Sequence, residues 1–249
     1  MENQENRTPE QAGEAVIQSS FIKKLDNFWY HYKIHTIAAL FIVFVIVICS
    51  VQTCSRADYD IQVLYAGGKH IPLSDDSSSL YTNINSAFKL VCDDYDKDGI
   101  KNPLLLRLTI PTTNEELENL GGSQNEKIFR ENTQELETIM VYSSEYYLCF
   151  LSEPIFIDYD QKITEQGIFP LEDIRKYAPE GSSFEYASDR GIYLRSTDFY
   201  KLPGIKDLPE NTVICLRVRS EVMSSASSKA NFNNAEDALK SILAYTYQE

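Results

Sequence analysis

The chain has 249 residues, 43% hydrophobic and 24% charged, with 23 Lys and Arg against 37 Asp and Glu for a net charge of −14. That composition belongs to an ordinary folded chain and excludes collagenous, low-complexity and multi-span membrane proteins. The acid excess also argues against a nucleic-acid partner, because neutralising phosphates takes clustered Lys and Arg, and 3 His leave little material for a His-rich metal centre.

The mean hydropathy of −0.30 averages over unlike segments. Residues 1–19 are polar with no sustained period and predict a disordered tail. In residues 20–33, Phe21, Ile22, Leu25, Phe28, Trp29 and Tyr32 share one helical face, opposite Lys23, Lys24, Asp26 and Asn27. This predicts an amphipathic juxtamembrane helix, an interfacial collar in preference to a docking surface. Residues 34–54 follow, with an uncharged core from Ile37 to Val51 (IAALFIVFVIVICSV). A membrane-crossing helix needs about 20 apolar residues, and this run predicts one, because no polar face remains to meet water.

Lys23, Lys24 and Lys33 precede the span, whereas Arg56 after it is followed by Asp58 and Asp60. Basic residues stay on the cytoplasmic side, so the expected topology is single-pass, with the N-terminus cytoplasmic and residues 58–249 extracytoplasmic. Trp29, Tyr30 and Tyr32 stand where an aromatic belt is expected. A cleaved signal peptide fits less well, since more than thirty residues precede the apolar core and no small-x-small site follows it. Lipid modification at Cys54 is an alternative, although Val51-Gln52-Thr53 lacks the small residues that usually precede such a cysteine.

Residues 34–249 hold 32 acidic and 19 basic residues, so nearly all the negative charge falls in the outer domain. Strands are expected over Tyr59 to Tyr65, Leu104 to Ile110, Thr138 to Tyr142 and Thr212 to Val218. Helices are expected over Leu80 to Val91, over Asn125 to Leu136 with Ile128, Phe129 and Leu136 inward, over Ser144 to Leu151 and over Pro170 to Tyr177. A last helix is expected after Asn234 as its cap. Ser74 to Ser79 and Ser220 to Asn234 read as loops. This alternation predicts one α/β domain with a mainly parallel, helix-covered sheet.

The sharpest local pattern is Asp94-Tyr95-Asp96-Lys97-Asp98-Gly99-Ile100. Alternating carboxylates followed by glycine are how a loop wraps oxygen ligands around calcium, with the Ile100 carbonyl as a further ligand. The twelfth position is Leu105 instead of the bidentate Glu of a helix-loop-helix site, so an EF-hand is excluded. The candidate metal ligands are therefore Asp94, Asp96, Asp98 and Ile100, completed by Asp93 or a distant carboxylate; the alternative is a solvated acidic turn. Calcium is the single cofactor considered.

Ala66-Gly67-Gly68-Lys69 lacks the spaced glycines and the Lys-Ser/Thr pair of a phosphate cradle and reads as a strand exit. His70 is the one imidazole beyond the span, with no nucleophile elbow to serve, and no enzymatic activity is expected. Cys149 and Cys215 fall in apolar runs and read, with Cys92, as free buried thiols, with a single disulfide as the alternative.

In this order the outer domain resembles a reduced type II extracellular solute-binding domain, like the small membrane-anchored versions of Gram-positive gut bacteria. The likeness rests on Tyr59 to Gly67, the Asp94 to Gly99 turn, Thr138 to Ile174 (TIMVYSSEYYLCFL…GIFPLEDI), Gly191 to Leu202 (GIYLRSTDFYKL) and the TVICLRV segment with the final helix. It implies one lobe only, because Gly181 to Asn211 is too short for a second. Half a ligand cleft makes a non-enzymatic interaction or accessory module, with a membrane or cell-surface protein partner, the expected function. The alternative is a tethered ligand-binding or sensing domain with Tyr146, Tyr147, Tyr186, Tyr193 and Tyr200 lining a shallow site.

Overall fold

The computed structural model describes residues 20–54, 59–73, 79–120, 123–166, 171–219 and 225–248. The chain divides into two units, Met1–Ala57 and Asp58–Glu249. In the first, α1 (Ser20–Cys54) is one continuous helix of 35 residues. The collar and span expected over residues 20–33 and 34–54 are joined without a break, and the apolar stretch long enough to cross a membrane is Phe28–Cys49. None of that stretch is buried within the protein. The tail expected over residues 1–19 lies outside the described residues.

The second unit is a mixed α/β domain. Its sheet holds β1 (Ile61–Gly67), β2 (Pro103–Thr109), β3 (Leu148–Ser152), β4 (Tyr186–Ser188), β5 (Gly191–Tyr193) and β6 (Thr212–Leu216) in the order β2-β1-β3-β6-β5-β4. β1 pairs in parallel with both β2 and β3, whereas β6, β5 and β4 add antiparallel. The sheet is thus mixed, not mainly parallel. The reason is local: the chain forms the β4–β5 hairpin, and two 3-10 turns then carry it into β6, which pairs antiparallel with both β5 and β3.

Side-chain alternation along the strands builds two cores. Val63, Tyr65, Leu148, Phe150, Ile214 and Leu216 face one side, against Ile84, Phe88 and Val91 of α2 (Leu80–Val91) and Leu239, Ile242 and Leu243 of α6 (Ala226–Ala244). Leu64, Ala66, Cys149, Leu151, Val213 and Cys215 face the other. There they meet Leu136, Ile139 and Met140 of α4 (Ser123–Tyr142) and Ile155, Phe156 and Tyr159 of α5 (Glu153–Gln166). The crossover from β1 to β2 therefore uses one face and that from β2 to β3 the other, making β1 the point where the winding reverses. The short α3 (Asn114–Leu120) follows β2 and begins with a reciprocal cap. Thr113 Oγ1 accepts from the Glu116 N–H, and Glu116 Oε2 accepts from the Thr113 N–H.

Several expectations are corrected. Thr138 to Tyr142 is the last turn of α4, because Leu136, Ile139 and Met140 are buried at helical spacing. Ser144 to Leu151 is not a helix; Leu148–Ser152 is β3, buried at every residue as a central strand must be. The last helix begins at Ala226 with Ser225 as its cap, nine residues before the expected Asn234 cap. Its polar opening is held by tertiary contacts: Ser228 Oγ meets Tyr147 Oη at 2.6 Å, and Asn231 Nδ2 donates to Ser144 O. Ile174–Tyr177 is a 3-10 turn. The loop expectations at residues 74–78 and 220–224 lie outside the described residues.

Candidate functional site

The acidic loop joins α2 to β2. Gly99 has φ 87° and Lys97 φ 63°, so the chain turns sharply at both. Each carboxylate closes the loop on itself. Asp94 Oδ2 accepts from the Gly99 N–H at 2.8 Å and Asp94 Oδ1 from Asp98 N–H at 3.1 Å. Asp96 Oδ1 accepts from Asp98 N–H, and Asp98 Oδ1 from Ile100 N–H. Of the four ligands read from the sequence, Asp94 and Asp96 come together, and their third partner is Asp60, with ligand oxygens within 4.8 Å of one another. Asp98 and Ile100 are not part of that group. Asp93 pairs with Lys101 at 3.9 Å.

Asp60 is the residue the sequence reading missed, and it is 97% shielded from water, at 3% exposure. Its Oδ1 accepts from Tyr95 N–H at 2.7 Å and its Oδ2 from Asn102 N–H at 2.6 Å, so it clamps both ends of the acidic loop to the start of β1. Asn234 Nδ2 donates to its carbonyl. The signal available was an acid placed immediately before a strand that is apolar but for Gln62. Electrostatically, Asp94 and Asp96 diverge. Desolvation works against the charge on Asp94, but the Gly99, Lys97 and Asp98 N–H groups outweigh it and hold its pKa below the usual carboxylate value. The Asp98 N–H favours charge on Asp96, yet desolvation and the carboxylates of Asp94, Asp98 and Asp60 push its pKa up. Asp60, Asp94 and Asp96 are the described carboxylates close enough to share one cation, and their oxygens are the ligand type that calcium takes.

A second feature lies at the carboxyl ends of β1 and β2. At Gly67 an added methyl would stand 2.9 Å from Tyr65 Oη, and at Gly68 it would displace the Glu116 carboxylate, the mobile end of a side chain. No helix begins here, since α2 starts only at Leu80 behind its Ser79 cap, and the segment is a strand exit. Beyond it His70 Nδ1 lies 3.2 Å from Thr109 Oγ1, and Asn132 Nδ2 donates to Thr109 O at 2.9 Å. These residues, with Ile71, Arg107, Ile128 and Phe129, line a cleft of about 280 Å³. Ile128, expected inward, is 47% exposed at its rim.

The five tyrosines do not form one site. Tyr147 is buried against Ser228 and Phe232 on the α6 face, and Tyr146 packs on the opposite core. Tyr193 donates to Glu153 Oε1 at 2.5 Å beneath the Arg195 guanidinium, Tyr200 donates to Leu208 O, and Tyr186 is exposed on β4. Cys92, Cys149 and Cys215 form no disulfide among the described residues. Burial raises the Cys92 thiol to about 11. Cys149 and Cys215 are direct partners across β3 and β6, and the hydrogen bond to Cys149, together with burial, holds the Cys215 thiol well above its usual value.

Taken as a class, this is a chain with one apolar N-terminal helix and a six-stranded mixed α/β domain. No protein-family model, curated protein or solved structure matches it.

Proposed function

We propose that the chain is a single-pass membrane protein displaying its α/β domain outside the cell as a non-enzymatic interaction or accessory module. The observation that carries this reading is α1, whose Phe28–Cys49 stretch is apolar and wholly unburied. At about 1.5 Å per residue those 22 residues extend about 33 Å, against a hydrocarbon core of about 30 Å. Lys23, Lys24 and Lys33 support a cytoplasmic N-terminus. The partner class is a membrane or cell-surface protein. Mild-detergent purification of the full chain tests this: a stoichiometric membrane partner is the expected result, and a chain recovered alone under conditions that preserve other membrane complexes contradicts it.

The cleft beside Arg107 favours a second reading, a tethered ligand-binding or sensing domain. Support comes from its place at the carboxyl ends of the parallel strands β1 and β2, the end at which open α/β sheets bind ligands, one strand over from the β1–β3 switch in winding. The same winding supports likeness to one lobe of a type II solute-binding domain. A thermal-shift panel of small solutes tests this reading; a panel without a single stabiliser counts against it.

A further inference from the structure

We propose that the cleft at the carboxyl ends of β1 and β2 binds a small organic carboxylate, with Arg107 as the anion-holding group. This inference rests on the second reading above, ligand capture by the tethered domain. Among the described residues of the cleft lining, Arg107 is the one with a permanent positive charge. Its Nε donates to Ile71 O at 2.7 Å and its guanidinium lies 5.1 Å from the centre of the Tyr81 ring. Those two contacts fix the plane of the fork. They leave both Nη amino groups without a hydrogen bond or an acidic partner among the described residues.

The surroundings make that idle fork informative. Acids outnumber bases 32 to 19 beyond residue 33, yet among the described residues no carboxylate lines this cleft. His70 and Asn132 are each held from one side by Thr109, which leaves the other imidazole nitrogen and the amide oxygen of Asn132 available to a ligand. A half-buried guanidinium oriented from behind and unpaired in front matches a carboxylate through two parallel N–H···O bonds. Ile71, Ile128 and Phe129 add an apolar wall that a bare inorganic anion would leave unused. The volume of about 280 Å³ sits at the small end of ligand pockets, which suits a compact carboxylate with an apolar body.

Calorimetric titration of the full chain in detergent with phenylacetate, and separately with inorganic phosphate, tests the assignment. The native sequence is compared with Arg107→Gln and Ile128→Glu. Saturable phenylacetate binding is expected, with phosphate at least roughly tenfold weaker and both variants losing roughly tenfold or more in phenylacetate affinity. Ile128→Glu sets a like charge at an exposed rim position, so it reports on the cleft even where Arg107→Gln fails to fold. Phenylacetate binding that survives both variants overturns this cleft while leaving ligand capture elsewhere on the domain intact. Phosphate binding as tight as phenylacetate overturns the organic carboxylate, and no saturable binding of either anion by the folded chain overturns the site.

Discussion

Asp60 does more for the domain than any other single polar residue near the acidic loop, because one buried carboxylate accepts from backbone N–H groups on both sides of that loop. Hydrogen bonds to a charged group contribute about 1.5–3 kcal/mol each, and removing the acceptor orphans two donors. Asp60→Ala is expected to lower unfolding stability by roughly 2–4 kcal/mol in urea titrations, with Asp60→Asn losing less because one acceptor oxygen remains. A loss within about 0.5 kcal/mol, the ordinary range of a surface substitution, would refute the clamp.

The neighbouring pair Asp94 and Asp96 carries opposite signs in its pH dependence. The lowered pKa of Asp94 gives a contribution present above its unfolded value and lost as pH falls through the folded value. The raised pKa of Asp96 gives one present below its unfolded value and lost as pH rises through the folded value. The fold therefore favours charge on Asp94 and disfavours it on Asp96, a cost that a bound divalent cation would relieve. Carboxyl-carbon NMR should therefore show Asp96 titrating above Asp94. Millimolar calcium should raise the melting temperature of the native chain but not of Asp96→Ala. A melting temperature indifferent to calcium would leave the loop as a solvated turn.

At the scale of elements, the turn after residue 201 is pinned to α2. Gly204 has φ 83°, and a methyl there would stand 2.6 Å from the Ile84 backbone nitrogen. Gly204→Ala should cost more than about 1 kcal/mol, through strain at positive φ and through contact with backbone that has no room to move. The β3–β6 pair makes a separate prediction. Cys149 and Cys215 are wholly buried and the Cys215 thiol pKa is raised, so a water-soluble thiol reagent should label them only as fast as the domain unfolds. Rapid labelling under native conditions would contradict that packing.

These elements also show what the sequence made legible. β1, α2, β2 and β6 were readable within a residue or two, because each carries its own period and its own punctuation, such as Ser79 before α2 and Pro111 after β2. Residues 138–151 were misread because a fully buried central strand and the last turn of an amphipathic helix are both short apolar runs. Only packing separates Ile139 and Met140 on α4 from Leu148 to Leu151 on β3. The opening of α6 was illegible for the opposite reason: ASSKANFNN has little intrinsic helix preference and is held by Tyr147 and Ser144, distant in sequence. Asp94 and Asp96 were legible as a pair, but Asp60 was not. Its part in the cluster comes from pairing β1 with β2, which brings Asp60 beside Asn102. The Arg107 cleft was invisible in the sequence, since it joins β2 to α4 and the β1 exit without any linear motif.

For the whole molecule, the central claim is that one helix anchors an acidic α/β domain on the outer side of a membrane. α1 extends about 52 Å, so it outlasts a hydrocarbon core of about 30 Å and carries helical turns beyond it. Trp29, Tyr30 and Tyr32 are exposed at the end of the apolar stretch, where amphipathic rings settle at a membrane interface. The net negative charge of the domain favours solubility and disfavours contact with anionic surfaces. The most direct measurement is protease accessibility on intact cells expressing the chain with distinct tags at its two ends, paired with alkaline carbonate extraction of their membranes. The account predicts that the chain stays in the carbonate-resistant pellet, that external protease removes the C-terminal tag, and that the N-terminal tag survives until the cells are broken. A chain released by carbonate, or a C-terminal tag protected in intact cells and an N-terminal tag that is not, would contradict it.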